Sequence, residues 1–359
     1  MNKTLLVVGY TTRHVAASAA DAGYTVYAID HFCDQDLLSC TADHLAFDEL
    51  DELPFALKQM IAKYHPDYIV TTSGAELLDV PNRLGTPVSV ARTFMDKGKT
   101  QEFFERIGVP VPRVVPKGTY PAMAKTTGGA GGWRNQIVHS DAELAAWQEF
   151  VEGDPYILQE FVTGTPASVC CLVTPKGDAC VIVSNQQILR GGDFCPFAFS
   201  GSVTPCPHPM TPRMVELGKK IAAASGCIGC IGIDFVLTES EAYAIEVNPR
   251  FQGTLETVET ATGKNLFMLH KDACEGRLPS VPIQTEGYAV RKILVAEDDM
   301  TVSCDMLPLS ATVTDIPHPG TFFEKGEVLC SVIGRGATVD EAYAMLDKNI
   351  RVAVQYIHQ

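Results

Sequence analysis

Apolar runs of strand length alternate with helix-spaced stretches through the first seventy residues. Thr4-Leu5-Leu6-Val7-Val8 is a continuous apolar run, as in a strand covered on both faces. Gly9 breaks it, the Ala-rich stretch from Arg13 to Ala22 has helical spacing, Gly23 closes that helix, and Thr25 to Asp30 is a second strand. A helical stretch from Leu53 to Tyr64 and the strand Tyr68 to Thr71 continue the alternation, which predicts a small doubly wound parallel sheet. Ligands of such sheets collect at the carboxyl ends of the strands. That edge holds Arg13, Asp30, Asp34, Asp36 and Ser73-Gly74-Ala75-Glu76. Arg13 is a candidate clamp for a substrate carboxylate or phosphate, and Asp30, Asp34 and Glu76 are candidate substrate contacts. The same residues read equally well as a solvated acidic loop and the opening of a helix.

The pattern then changes. Met95-Asp96-Lys97-Gly98-Lys99 heads a helix that ends at Gly108. A lysine in the first turn opposes the helix dipole, so Lys97 is not there for helix stability. The strand Ala122 to Lys125 runs into a stretch holding Gly128, Gly129, Gly131 and Gly132, four glycines in five residues. Glycines let backbone N–H groups approach phosphate oxygens and leave a loop mobile enough to act as a lid, although such a loop alone is often only a link. The strand Asn135 to Val138, a helix over about 141–152, and Tyr156-Ile157-Leu158-Gln159-Glu160-Phe161-Val162 follow. Ser168 to Val173 and Ala179 to Leu189 read as paired strands leading to Arg190-Gly191-Gly192-Asp193-Phe194. Arg190 there is a candidate anion partner for a second substrate, or simply sits at an exposed hairpin end.

After a helix from Met214 to Ala224, Gly232 to Leu237 and Tyr243 to Asn248 are two β-branched apolar runs flanking a polar gap, which predicts a β-hairpin. Residues two apart share a face, so Glu246 and Asn248 project together, and Asp234 on the partner strand lies near them. Two carboxylates and an amide oxygen suit Mg²⁺ or Mn²⁺, with water and phosphate completing the shell. Arg250 is placed to reach the same phosphate. The plainer reading is the solvent face of an ordinary hairpin.

Composition narrows the function classes. The 359 residues suffice for two or three domains, and 46% hydrophobic with 20% charged residues is ordinary for a globular protein. A net charge of −15 argues against non-specific nucleic-acid binding, so local basic residues must meet anionic substrates. No run approaches membrane-spanning length, and Met1-Asn2-Lys3 leads directly into a strand, so a cytoplasmic chain with reduced thiols is expected. Cys227-Ile228-Gly229-Cys230 and Cys170-Cys171 are expected to be core residues rather than redox or zinc sites. The first βα turn lacks G-x-G-x-x-G, so nicotinamide binding is weakly supported, and the glycine stretch lacks a P-loop pattern.

Asp234 on one strand, Glu246-x-Asn248 on the next, and a lysine-led glycine loop upstream resemble the ATP-grasp ligase superfamily, which includes D-alanine:D-alanine ligase and biotin carboxylase. Glu246-Val247-Asn248-Pro249-Arg250 is most similar to the biotin carboxylase and carbamoyl phosphate synthetase branch. The opening Gly, Arg, Ala-rich helix and Asp-x-Phe-x-Asp resemble a subgroup of predicted ATP-dependent carboligases over most of the chain. The resemblance implies an ATP-grasp fold, with an N-terminal α/β domain at 1–94, a small lobe at 95–165, a large lobe at 166–286 and a closing lobe at 287–359. It places ATP phosphates on Lys97, Lys125 and the glycine loop, adenine at the Glu160-Phe161-Val162 hinge, and the metal on Asp234, Glu246 and Asn248. Lys125 and Arg250 become the catalytic electrostatic groups. Where relatives have Gly-x-Glu with its Glu on the ribose, this chain has Gly164-Thr165-Pro166. The implied activity is ATP-dependent joining of a small-molecule carboxylate and an amine through an acyl phosphate, and the resemblance allows a homodimer. Bicarbonate activation and a non-catalytic nucleotide-binding regulator are the alternatives.

Overall fold

The computed structural model describes residues 3–129, 131–132, 134–192 and 195–357. Ala130 and Trp133 of the glycine-rich stretch, and Asp193 and Phe194 of the loop after Arg190, lie outside the described residues. The N-terminal part runs β1 (Thr4–Val8), α1 (Arg13–Asp21), β2 (Thr25–Asp30), α2 (Gln35–Cys40), β3 (Asp43–Ala46), α3 (Leu53–Tyr64) and β4 (Tyr68–Thr71). The four strands are parallel in the order β3-β2-β1-β4, which is the expected doubly wound sheet. Alternation in the sequence does not reveal α2 and β3, whose patterns span only six and four residues. Asp34 stands at the start of α2 with Asp36 in its first turn, where carboxylates favour the helix dipole, and buried Leu37 anchors it. The stretch expected as an acidic loop is thus a loop over 31–34 that runs into α2, whose N-cap Asp34 makes no side-chain capping bond.

Two helices, α4 (Val88–Phe94) and α5 (Lys97–Arg106), lead to a three-stranded antiparallel sheet. Its strands are β5 (Ala122–Thr126), β6 (Gln136–Val138) and β7 (Tyr156–Glu160), with α6 (Asp141–Phe150) laying Leu144 and Trp147 over its apolar face. Ser140 caps α6 by accepting from Glu143 N–H, and Asp96 caps α5 by accepting from Lys99 N–H.

The largest sheet has eight strands: β8 (Thr165–Val173), β9 (Ala179–Leu189), β10 (Phe199–Thr204), β11 (Gly229–Leu237), β12 (Ala242–Asn248), β13 (Tyr288–Val295), β15 (Val313–Thr314) and β17 (Val328–Gly336). Their order is β12-β11-β8-β9-β10-β13-β17-β15, and β14 (Met300–Thr301) pairs separately with β16 (Phe322–Phe323). The closing lobe expected from 287 thus joins the large lobe through the β10–β13 ladder as one continuous sheet. Helix α7 (Thr211–Ser225) covers one face, α8 (Leu255–Thr262) and α9 (Leu266–Cys274) the other, and α10 (Val339–Ile357) backs β17. Strand alternation sends Val169, Cys171, Ile231, Ile233 and Phe235 into the α7 core, while Cys170, Leu172 and Cys230 enter the core with Phe251 and Phe267. The cysteines there are packing residues, as expected. Burial pushes the Cys227 thiol up to about 11, which keeps it inert.

A buried ion cluster ties β1's end to the closing lobe. The Arg13 guanidinium donates to Glu256 (Nη1 to Oε1, 2.7 Å) and to Asp315 (Nη2 to Oδ1, 2.8 Å), and its Nε lies 3.3 Å from Asp36. Arg291 meets the same two acids, with Nε 3.0 Å from Glu256 Oε2 and Nη2 2.6 Å from Asp315 Oδ2. The two arginines hold Asp315 well below the usual carboxylate range even though burial opposes ionisation. Replacing Arg13 with Met should leave three acids without it and lower the unfolding free energy by about 3–5 kcal/mol in urea denaturation. If Arg13 were instead a substrate clamp, stability would be unchanged. His270 offers a second test. Its Nδ1 accepts from Cys230 N–H (2.8 Å) and its Nε2 faces Leu84 C=O (3.1 Å), and burial lowers its pKa from 6.5 to about 4. The unfolded chain takes up the proton first, so this contribution is complete above pH 6.5 and drains away as pH falls toward 4. Denaturation midpoints should fall over that window, and His270→Gln should flatten the slope.

Candidate active site

The β11–β12 hairpin sets Asp234 directly opposite Glu246, and Gly232 opposite Asn248. The register then slips, because Phe235 pairs with Ala244 and Ile245 is left as the extra residue of a β-bulge. Strict alternation would send Ile245 and Glu246 to opposite faces. The bulge instead lets both line one pocket, together with Lys97, Lys125, Asn135, Ile157 and Gln159. The sequence alone gave no sign of this irregularity.

Asp234 is enclosed by amides. Its Oδ1 accepts from Gln187 Nε2 (2.9 Å) and Gln252 Nε2 (2.7 Å), and its Oδ2 from Asn248 Nδ2 (3.0 Å). Burial, then the Glu246 charge, push its pKa up to about 7, so the two carboxylates are under-neutralised as they stand. Among the described residues the Glu246 carboxylate has no hydrogen-bond or ion-pair partner. Asn248 spends its NH₂ on Asp234, which leaves its oxygen free as an acceptor. Two acids and one amide oxygen, short of charge compensation, fit a magnesium-type ion that shares its shell with water and phosphate. No group of three His, Cys, Asp or Glu side chains suited to a metal occurs among the described residues.

The cationic side of the pocket comes from two elements. Lys125 sits on β5 with its side chain enclosed, and burial, then repulsion from Lys97, bring its pKa down to about 8 against the pull of Glu246. Lys97 opens α5, and its Nζ donates to Gly129 C=O (2.8 Å), so it already touches the glycine loop. Gly129, Gly131 and Gly132 have φ of +93°, +74° and +72°, a conformation that side chains rarely adopt, and Thr126 Oγ1 donates to Gly128 C=O.

The other expected residues are distributed unequally. At the hinge, Glu160 turns its carboxylate to Arg113 (Nε to Oε2, 2.8 Å), so only its backbone, with half-buried Phe161 and Val162, can meet a ligand. Thr165 and Pro166 belong to the β8–β11 ladder. Arg250 lies beside the metal residues, and its Nε donates to Glu76 at 2.6 Å, so Glu76 positions Arg250 rather than presenting a free carboxylate. Asp30 is saturated: it accepts from Thr12 N–H and Oγ1 and from Phe32 and Cys33 N–H, which folds the loop after β2. Arg13 is spent on the ion cluster, and its side chain is 5% exposed. Asp34 lies beside that cluster, where burial and Asp315 push it up to about 8, so it holds a proton at neutral pH. Arg190 donates to Gly326 C=O (2.6 Å) and so braces the closing lobe. Pairing and burial therefore remove Arg13 and Asp30 from the expected substrate contacts.

Gln159, Gln187, Gln252 and Asn135 are residues that sequence reasoning missed. Gln159 carries the plainest signal: it is buried on β7, lines the pocket, and its Oε1 has no hydrogen-bond partner among the described residues. A buried acceptor left unmet costs about 1–3 kcal/mol, which a ligand donor can recover. Gln252 depends on Gly232, since a Cβ there would lie 1.7 Å from the Gln252 side chain. Gly232→Ala should therefore push Gln252 off Asp234 and weaken Mn²⁺ binding about tenfold or more, read by electron paramagnetic resonance titration, with the far-ultraviolet dichroism unchanged.

Comparison with known proteins agrees with this geometry. Residues 94–254 match the model of the ATP-grasp domain. The formate-dependent phosphoribosylglycinamide formyltransferase of Hahella chejuensis is 24% identical and covers 96% of this chain and 92% of its own. The carbamoyl phosphate synthase large chain of Campylobacter jejuni is 25% identical over 71% of this chain, which spans only 26% of that protein. The biotin carboxylase domain of Hydrogenobacter thermophilus 2-oxoglutarate carboxylase superposes with a TM-score of 0.79 over 98% of this chain and 90% of its own at 16% identity, a likeness of fold. Residues 94–254 are therefore an ATP-grasp domain.

Proposed function

We propose that the chain joins a small-molecule carboxylate to an amine at the expense of ATP. The observation that carries this reading is the single pocket in which Lys97 and Lys125 face Glu246, with the unmet acceptor of Gln159 on the same lining. A nucleoside triphosphate has matching ends. Its base amine would meet Gln159 Oε1, its base edge the backbone of 160–162, and its phosphates Lys97, Lys125 and the N–H groups of Gly128, Gly129, Gly131 and Gly132. Asp234, Glu246 and Asn248 would hold Mg²⁺ or Mn²⁺, which when bound neutralises the β and γ phosphates against an approaching anion.

The carboxylate oxygen attacks the γ phosphorus, the β–γ bridging bond breaks, and ADP leaves with an acyl phosphate behind. An amine then displaces phosphate and loses a proton as the amide forms. Arg250, braced by Glu76, stands beside the metal residues as the cation for the substrate carboxylate. Lys125 serves as a buried cation on the transferring phosphoryl group, where low dielectric strengthens its field. Catalysis is then mainly positioning and charge neutralisation. The whole-length relative from Hahella chejuensis supports a carboxylate co-substrate, since its name specifies formate. A second reading, bicarbonate activation, is favoured by the carboxylase domain, whose structure holds Mg-ADP and bicarbonate.

The test is ADP and phosphate release with Mg²⁺-ATP across pooled carboxylates, amino acids and amines, for the wild type and Glu246→Ala. Release that requires both an acid and an amine, and drops at least a hundredfold in the variant, is the expected result. Release with bicarbonate alone selects the second reading. ATP binding with no release under any pool counts against catalysis and for a nucleotide sensor.

A further inference from the structure

Helix α5 presents Lys97, Gln101 and Glu105 at four-residue spacing, so they share one face, each about 6 Å further along the axis. Lys97 ends that face at the phosphate side of the pocket. The other two form a relay toward the base side. Gln101 Nε2 donates to Glu105 Oε1 (2.8 Å) and to Pro112 C=O (3.2 Å). Gln159 Nε2 donates in turn to Gln101 Oε1 (2.7 Å). A carboxylate and a carbonyl can only accept, so they fix Gln101 with its NH₂ toward them and its oxygen toward Gln159. Gln159, which lines the pocket, must then give its own NH₂ to Gln101, and its buried Oε1 is left as the atom with no partner among the described residues.

We infer that Gln101, fixed by Glu105, is the positioning residue that decides which atom of Gln159 meets the nucleobase, and so makes the site select a 6-amino purine over a 6-oxo purine. The inference rests on the nucleotide reading above. An amide alone carries no such choice, because a half-turn about its last bond exchanges donor and acceptor. The relay removes that freedom from a distance. A 6-amino purine offers N–H to Gln159 Oε1. A 6-oxo purine sets oxygen against oxygen and leaves two buried acceptors unmet, a mismatch of about ten- to a hundredfold in affinity. Glu160, the nearest acid in sequence, is occupied with Arg113 and does not supply the missing acceptor.

The experiment compares Mg-ADP with Mg-IDP, which differ at the 6-position and in the N1 proton that goes with it, by titration calorimetry on the full chain. The N1 difference is common to every variant, so a change in the ratio reads the 6-position. The wild type is expected to favour ADP by about ten- to a hundredfold. Gln101→Met keeps the side-chain length but frees the Gln159 amide to turn, so the ratio should fall about fivefold or more from its wild-type value. Adding Gln159→Glu in that background should restore the preference, because both oxygens of a carboxylate accept and no orientation is needed. A merely structural Gln101 would weaken both nucleotides equally and show no such rescue. A folded Gln101→Met with the wild-type ratio overturns the inference. Should that variant not fold, Gln159→Met, which removes the amide whose orientation is at issue, must lower the ratio likewise, and an unchanged ratio there overturns the inference equally. A wild type that binds neither nucleotide overturns the ATP reading itself, which is a different failure.

Discussion

Strand register holds two carboxylates at one level in a place where water cannot fully screen them. Asp234 and Glu246 are opposed by the pairing of β11 with β12, and neither can retreat without breaking that ladder. Everything around them answers this repulsion. Three amides, from β9, β12 and the loop after β12, turn their NH₂ groups to Asp234, and Lys125 faces Glu246 from the three-stranded sheet. The bulge at Ile245 is the local irregularity that lets an apolar wall and the acid face the same space.

The molecule places buried charge in two settings with opposite balance. In the ion cluster, two arginines form ion pairs with Glu256, Asp315 and Asp36, although Arg291 Nε makes no aligned hydrogen bond, and the acid in excess, Asp34, keeps its proton. Nothing there has capacity for a ligand. In the pocket, Lys125, the Glu246 carboxylate and the Gln159 amide oxygen have no hydrogen-bond or ion-pair partner among the described residues, and the proposed ligand, bearing phosphate, cation and base amine, would satisfy all three. The contrast separates a structural cluster from a binding site more firmly than residue type does.

The features legible in the sequence are those whose cause is local. Continuous apolar runs fixed β1, β2, α3 and β4 almost to the residue, and the paired runs around 238–241 gave the hairpin that carries the acids. What stayed hidden depends on distance along the chain. Arg13 stands just beyond the carboxyl end of β1, as the alternation predicts, but the acids that occupy it lie 243 and 302 residues away. Gln101 and Gln159, 58 residues apart, each read as an ordinary polar position, because only the fold shows that one orients the other. Helix α2 and strand β3 were too short for any periodicity to emerge.

The continuity of the large sheet bears on how the chain is made. Strand β10 ends at residue 204, and its neighbour β13 begins only at residue 288. On the ribosome, β10 therefore waits with one edge unpaired while some eighty further residues are synthesised, and Arg13 waits longer still for Asp315. The nucleotide-binding lobes can collapse early, but their anchor arrives with the last fifty residues. Nascent chains of this protein thus carry an unpaired strand edge that chaperones recognise, and a messenger truncated between residues 254 and 288 yields a polypeptide that holds every pocket residue named above yet cannot complete its own sheet.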